Sequence, residues 1–154
     1  MKVKELMTKD VVSCKPSCSL AEVAKFMWDY DCGIVPVVNE EGRVLGVITD
    51  RDICMAAYTR GVLLRELTVA SAMSKNVQSC SPESRITEVE RLMKGAQIRR
   101  LPVVDAVGSL VGIITLGDIA LHAKASPLRL PVEGLGVTST LAEISLPRNG
   151  HRTG

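Results

Sequence analysis

Apolar residues recur along the chain in two rhythms. Leu20, Val23, Ala24 and Met27 fall at the spacing of one helix face, and Ile86, Val89 and Met93 repeat it further on. After each of these stretches comes a short continuous apolar run, IVPVV at 34–38 and LPVV at 101–104. A glycine-containing turn follows (NEEGR, DAVGS), then a second run, VLGVI at 44–48 and LVGII at 110–114. Two such runs joined by a glycine turn predict a β-hairpin. A further helix is expected from near Asp50, carrying Ile53, Ala56 and Ala57, and from near Leu116, carrying Ile119, Ala120 and Ala123. Upstream, the β-rich pieces Val11–Cys14 and Val77–Cys80 run into Pro16 and Pro82 and are expected as opening strands. The order in each half is strand, helix, strand, strand, helix. Ser19 with Glu22 predicts a capping box for the first helix. Arg85 stands in the serine's place in the second half, so that helix must start differently.

The two halves are copies. Residues 3–53 align with 69–119 at a constant offset of 66 without a gap, and 19 of the 51 positions are identical. The matches include Met7 with Met73, Cys14 with Cys80, Gly46 with Gly112, Thr49 with Thr115 and Asp52 with Asp118. The predicted organisation is a first repeat over 1–58, a linker over 59–68, a second repeat over 69–123 and a tail over 124–154. One unit of about 50 residues buries too little surface to be stable alone. Two units covering each other's sheets form a single module with pseudo-twofold symmetry. Leu63, Leu64 and Leu67 in the linker are expected to be packed. In the tail, Pro127, Pro131, Gly134 and Gly136 break regular structure, Thr138–Leu146 is predicted as a short amphipathic helix, and PRNGHRTG at 147–154 as disordered.

Composition narrows the function classes. Nineteen basic and seventeen acidic residues give a formal charge of +2, too balanced to attract nucleic acid by bulk charge. Four aromatic residues, Phe26, Trp28, Tyr30 and Tyr58, leave few rings for base stacking. The core must be aliphatic, since 46% of the residues are apolar. No apolar run approaches the roughly 18 residues of a membrane span, and the charged opening MKVKELMTKD does not read as a secretory signal. Five cysteines without a CxxC, and two histidines, predict neither a disulfide framework nor a paired zinc site. Reduced cysteines point to the cytoplasm. Met7, Met27, Met73 and Met93 read as core packing rather than a cofactor site. No serine, cysteine or histidine constellation pairs a nucleophile with a base, so no enzyme is expected.

The sharpest local signal is GVITDRDI at 46–53, repeated as GIITLGDI at 112–119. Thr49 and Thr115 sit where strand turns to helix, a good N-cap position. Asp52 and Asp118 lie three residues on, within the first helical turn. The open amides of that turn favour an anion. A phosphate could bind the threonine hydroxyl and those amides, and the aspartate could accept both hydroxyls of a ribose. The same spacing also makes a ligand-free capping box.

The openings MTKDVVSCKP and MSKNVQSCSP, the segments IVPVVNEEGRVLGVITDRDI and RRLPVVDAVGSLVGIITLGDI, and the gapless duplication together resemble the CBS domain in its tandem form, the CBS pair or Bateman module. The resemblance covers residues 3 to about 122. It implies an α+β fold of tandem repeats, each strand-helix-strand-strand-helix, packed sheet to sheet with pseudo-twofold symmetry and with two clefts between the repeats. It implies regulatory binding of AMP, ADP or ATP, or of S-adenosylmethionine, with no required cofactor. In the family the threonine of the last motif contacts phosphate and its aspartate holds the ribose. Both motifs are intact here.

The family arrangement brings one repeat's opening segment to the other's hairpin. One cleft would then combine Thr8, Asp10, Val12 and Ser13 with Arg99, Arg100, Thr115 and Asp118. The other would combine Ser74, Asn76, Gln78 and Ser79 with Cys32, Gly33, Ile34, Thr49, Arg51 and Asp52. Arg99-Arg100 stands where the first repeat has Gly33-Ile34, so the Arg99/Arg100 cleft is expected to bind phosphate better. In the other cleft Arg51 is the available cation, with Asp50 and Asp29 as competing partners. The resemblance also implies a homodimer and a separate effector protein. The alternative reading is a ligand-independent dimerisation or interaction module; membrane and nucleic-acid partners are not expected.

Overall fold

A computed structural model describes residues 1–125. Its regular elements are α1 (Leu20–Asp29), β1 (Ile34–Val38), β2 (Val44–Thr49), α2 (Asp50–Arg60), α3 (Ile86–Ala96), β3 (Arg100–Val104), β4 (Leu110–Thr115) and α4 (Leu116–Ala125). Short 3-10 turns lie at Val3–Glu5, Leu64–Glu66 and Val69–Ser71. The helices and hairpins fall where the hydrophobic rhythm places them. The expected tail helix at 138–146 lies outside the described residues.

The chain divides into two compact units, and these cut across the sequence repeats. The α1–α2 unit comprises Asp10–Val77 with Val104–Leu110, and the α3–α4 unit comprises Met1–Lys9, Gln78–Val103 and the chain from Val111 onward. The opening of the first repeat thus folds with the second repeat's helices, and the opening of the second folds with the first repeat's. Hydrogen bonds inside each unit show why. Thr8 and Ile113 exchange both backbone bonds at 2.9 Å, and Ser74 and Val47 do the same at 2.9 and 3.0 Å.

In the α1–α2 unit, β1 and β2 pair antiparallel in the register Ile34↔Thr49, Val35↔Ile48, Pro36↔Val47 and Val37↔Gly46, with an irregularity before Val38↔Val44. Their core side packs Val35, Val37 and Ile48 against Leu20, Val23 and Met27 of α1 and Ile53 and Ala56 of α2. In the α3–α4 unit, β3 and β4 form the sheet, and Leu101, Val103 and Ile114 pack with Ile86, Val89 and Met93 of α3 and with Leu116 and Ile119 of α4. Each fully buried aliphatic side chain contributes about 1.5–3 kcal/mol. Glu90 is also fully buried on this face of α3, where the first repeat has Ala24.

Two expectations need correction. The opening strands at Val11–Cys14 and Val77–Cys80 are extended segments that touch the sheet through one parallel bridge each, Cys14↔Val37 and Cys80↔Val103. The chain turns away at Pro16 and Pro82, so pairing stops after one residue. Of the linker leucines, Leu67 is buried and Leu64 partly so, but Leu63 is 55% exposed. It precedes a 3-10 turn, and its N–H donates to the Glu66 carboxylate at 3.0 Å, which turns its side chain out.

Helix starts follow the local sequence. Ser19 caps α1, with Glu22 N–H donating to Ser19 Oγ at 3.2 Å and Ser19 N–H donating to the Glu22 carboxylate at 2.7 Å. At α3 only half of that box remains, because Arg85 offers no side-chain acceptor while its N–H still donates to Glu88 at 2.9 Å.

Candidate functional site

Thr49 and Thr115 end β2 and β4, and each caps the helix that follows. Asp52 N–H donates to Thr49 Oγ1 at 3.1 Å, while Thr49 N–H and its hydroxyl both donate to Asp52 Oδ2, at 2.9 and 2.8 Å. At the start of α4 the same three bonds join Thr115 and Asp118, at 3.1, 2.8 and 2.8 Å. The capping-box reading of these residues is therefore realised in both units. It does not exhaust them. Among the described residues all the bonds fall on Oδ2, which leaves Oδ1 of each aspartate as an acceptor. The pair can hold a polyol with Oδ1 and can turn the threonine hydroxyl to an anion, with Thr N–H still anchoring Oδ2.

Neighbouring elements are brought up by matching contacts. Leu116 N–H donates to Arg99 O at 2.9 Å, placing Arg99 and Arg100 at the start of α4. Asp50 N–H donates to Gly33 O at 3.3 Å, placing Gly33 and Ile34 at the start of α2. Glycines admit the opening segments. A Cβ on Gly46 would lie 2.6 Å from Ser74 O and 3.2 Å from Met73 Cε, and one on Gly112 would lie 2.9 Å from both Thr8 O and Met7 Sδ. The methionines thus pack as expected of core residues, and Met27 and Met93 are buried outright.

The predicted site residues distribute by unit. The α3–α4 unit contains Thr8, Arg99, Arg100, Thr115 and Asp118, together with Ser79 and Gln78. The α1–α2 unit contains Gly33, Ile34, Cys32, Thr49, Arg51, Asp52, Ser74 and Asn76, together with Asp10, Val12 and Ser13. Within the first set, Thr8 pairs with β4 two residues before Thr115, and Arg99 adjoins α4. Within the second, Ser74 pairs with β2 two residues before Thr49, and Gly33 adjoins α2. Among the described residues neither Arg99 nor Arg100 forms an ion pair or side-chain hydrogen bond, and Arg100 is half-buried. Among the described residues Arg51 also forms no ion pair; its expected competitor Asp29 pairs with Lys25 instead.

Sequence reasoning missed what Asp50 does. Its Oδ1 accepts from the Arg51 N–H at 2.8 Å, so α2 begins with its own carboxylate on a first-turn amide. The signal was legible as aspartate at the first helical position, where acids favour the helix dipole. Elsewhere, burial pushes the Cys14 thiol up to about 12 and the Cys80 thiol up to about 11. Both are inert packing groups, and Cys14, Cys18, Cys54 and Cys80 are free thiols. Among the described residues no group of three or more His, Cys, Asp or Glu side chains could hold a metal ion, and no helix is long and apolar enough to cross a membrane.

The duplicated strand-turn-helix with its threonine–aspartate pair defines a class in its own right: a tandem module with one threonine-capped helix start per unit. The CBS domain family model matches residues 3–58 and 66–124, and the chain belongs to the CBS domain family. It is 38% identical to the CBS domain-containing protein YhcV of Bacillus subtilis over 124 residues, covering 80% of this chain and 86% of that one. Among solved structures it is similar to the CBS domain pair of protein MJ0100 in complex with 5-methylthioadenosine and S-adenosyl-L-methionine, at TM-score 0.74 and 28% identity, over 82% of this chain and 98% of that one. It is also similar to CBSX2 in complex with AMP, at TM-score 0.71 and 25% identity, over 80% of this chain and 96% of that one.

Proposed function

We propose that this chain is a regulatory module that binds an adenosine nucleotide, AMP, ADP or ATP, through the threonine–aspartate pairs at the starts of α2 and α4. The observation that carries this reading is the acceptor left over at each pair: Asp52 and Asp118 spend Oδ2 on the cap and keep Oδ1. A ribose needs an acceptor at such a place, and the unpaired Arg99 and Arg100 supply charge for a phosphate at α4. The AMP bound by CBSX2 and the adenosine compounds bound by MJ0100 support the ligand class. S-adenosylmethionine is the alternative ligand. Thr8, Asp10, Val12, Ser13, Ser74, Asn76, Ser79, Gly33 and Ile34 are proposed to complete the walls. The module has no reaction of its own, requires no cofactor, works in the cytoplasm and passes its state to a separate effector protein.

Titration calorimetry with AMP, ADP, ATP and S-adenosylmethionine tests the reading. Saturable heat with at least one is expected, weakened in Asp118→Asn by about tenfold or more, since a hydrogen bond to a charged group contributes roughly 1.5–3 kcal/mol. No heat from any of the four at millimolar concentration refutes it. A second reading, an interaction module, is favoured by Trp28 and Tyr58, which are 87% and 83% exposed in the α1–α2 unit. Both readings include a homodimer. Light scattering of the ligand-free protein is expected to give twice the chain mass, and a strict monomer refutes that part.

A further inference from the structure

The formal charge of +2 conceals a division between the two units. Over Asp10–Val77 and Val104–Leu110 the α1–α2 unit carries seven basic and ten acidic residues, a net of −3. Over 1–9, 78–103 and 111–125 the α3–α4 unit carries nine basic and five acidic residues, a net of +4.

The helix surfaces diverge in the same sense. Trp28 near the end of α1 and Tyr58 near the end of α2 are the most exposed of the large apolar side chains, and Met55, about one helical turn before Tyr58, is exposed beside them. Asp29 and Asp31, also exposed, follow Trp28. At the repeat offset of 66, Trp28 and Tyr58 are replaced by Lys94 and Lys124, and Asp29 and Asp31 by Gly95 and Gln97. The end of one helix pair is aromatic and acidic; at the same positions the other carries lysine and no acid. Met55 has an apolar counterpart in Leu121 of α4, which is exposed too.

Aromatic rings left in water mark an interaction surface, since tryptophan and tyrosine are enriched in the buried centres of interfaces. Charge selects what covers it. A closed dimer of identical chains repeats every contact about its twofold axis, so it has two arrangements. Like units can meet like, setting −3 against −3 and +4 against +4. Alternatively each α1–α2 unit meets the α3–α4 unit of the second copy, setting −3 against +4 twice. The second arrangement attracts at both contacts and brings the rings of Trp28 and Tyr58 to a helix pair that carries lysine, a favourable partner for an aromatic face.

Building on the homodimer of the proposed function, we propose that the exposed side of α1 and α2, with Trp28, Met55 and Tyr58, docks a second copy of this chain on its α3–α4 unit. The contact pairs unlike units.

Cysteine cross-linking with a short bis-maleimide tests the pairing, with far-UV circular dichroism to confirm that each variant folds. Native Cys54 is exposed on α2, and Leu121→Cys places a second thiol on α4. Dimer-mass product is expected only from the chain that carries both thiols, joined between positions 54 and 121 in peptide mass spectrometry. Product from wild type through Cys54 alone, or from Cys54→Ala/Leu121→Cys, means that like units meet and overturns the proposal. A dimer that gives no product in any of the three chains overturns it as well, because α2 and α4 then lie outside the interface. In sedimentation, raising NaCl from about 50 to about 500 mM is expected to weaken the wild-type dimer several-fold by screening the attraction; a dimer that tightens with salt holds like charges together and refutes the pairing. Trp28→Lys is expected to weaken the dimer by about tenfold or more, and an unchanged dissociation constant removes α1 from the contact. A strict monomer at every concentration refutes the homodimer itself, whereas like-to-like cross-links refute the pairing and leave the homodimer standing.

Discussion

Replacing Gly46 with alanine adds one methyl carbon at the point where the second repeat's opening segment crosses β2. That carbon would lie 2.6 Å from Ser74 O and 3.2 Å from Met73 Cε. The methionine end can move, but the carbonyl cannot move freely. Ser74 O accepts from Val47 N–H at 3.0 Å, and Ser74 N–H donates to Val47 O at 2.9 Å. Opening the contact to an ordinary distance stretches both bonds, each contributing about 1 kcal/mol net. Overpacking of a filled site costs roughly 1–3 kcal/mol by itself. A loss of about 2–3 kcal/mol is therefore expected. With a urea m-value of about 1–3 kcal/mol/M, the unfolding midpoint should fall by roughly 1 M or more. Gly95→Ala is the control. Gly95 lies in α3, and an alanine methyl there would have nothing within 4 Å, so relief of glycine's helix penalty should raise stability by up to about 1 kcal/mol. Urea denaturation followed by circular dichroism gives both values. If Gly46→Ala matches wild type, the close approach does not constrain the fold as argued.

Helix capping gives a second pair of opposite sign: Ser19→Ala should lose about 1 kcal/mol and Arg85→Ser gain a similar or smaller amount, measured by the same urea titration. Acid should act through Glu83, which receives Lys2 and Lys4 ammonium groups at 2.5 and 2.7 Å and whose carboxyl is held down to about 2 by those bonds. A depressed carboxylate stabilises the fold above its ordinary value of 4.5 and loses that contribution as pH falls toward about 2, so Glu83→Gln should flatten the stability profile across that acid range; an unchanged slope would count against the ion pair. Alkylation with iodoacetamide at mildly alkaline pH should modify exposed Cys54 first, and Cys14 and Cys80 only after unfolding, as read by peptide mass spectrometry; early labelling of Cys14 would contradict its burial.

Element types were legible because each half repeats the same apolar rhythm, so one misreading would have had to occur twice. Boundaries at Asp50 and Leu116 followed from threonine caps. What the sequence could not show was length of pairing: Val11–Cys14 looks like a strand by composition, yet pairs through one residue because its register ends beside Pro16. Leu63 was misplaced for a related reason, since an apolar side chain beside two packed leucines carries no mark that its backbone turns outward. The candidate residues were legible as types, but whether their hydrogen bonds were already spent was not. Only the folded chain reveals that the threonine hydroxyls are committed to Oδ2 and that Asp50 fills its own helix start.

Comparison of the repeats separates the residues that make the fold from those that the fold leaves free to vary. The identical pairs seen in contact are structural: Gly46 and Gly112 admit a crossing backbone, Met7 and Met73 lie against those glycines, and Cys14 and Cys80 bridge to the sheet. Thr49–Asp52 and Thr115–Asp118 cap helices through Oδ2, and under the proposed function Oδ1 is the acceptor a ribose would meet. Beside those caps charge changes between the copies at four positions, Gly33/Arg99, Ile34/Arg100, Asp50/Leu116 and Arg51/Gly117. None of the eight residues except Leu116 is buried. Apart from Leu116, packing does not require these identities, so their divergence is free to follow the ligand. Asp118→Asn separates the two roles of the pair. The amide oxygen can still accept the Thr115 N–H and preserve the cap, while the charge that would hold a ribose is gone. A variant that keeps its unfolding midpoint but loses nucleotide binding assigns Asp118 to the site; one that loses both in proportion returns it to the capping box alone.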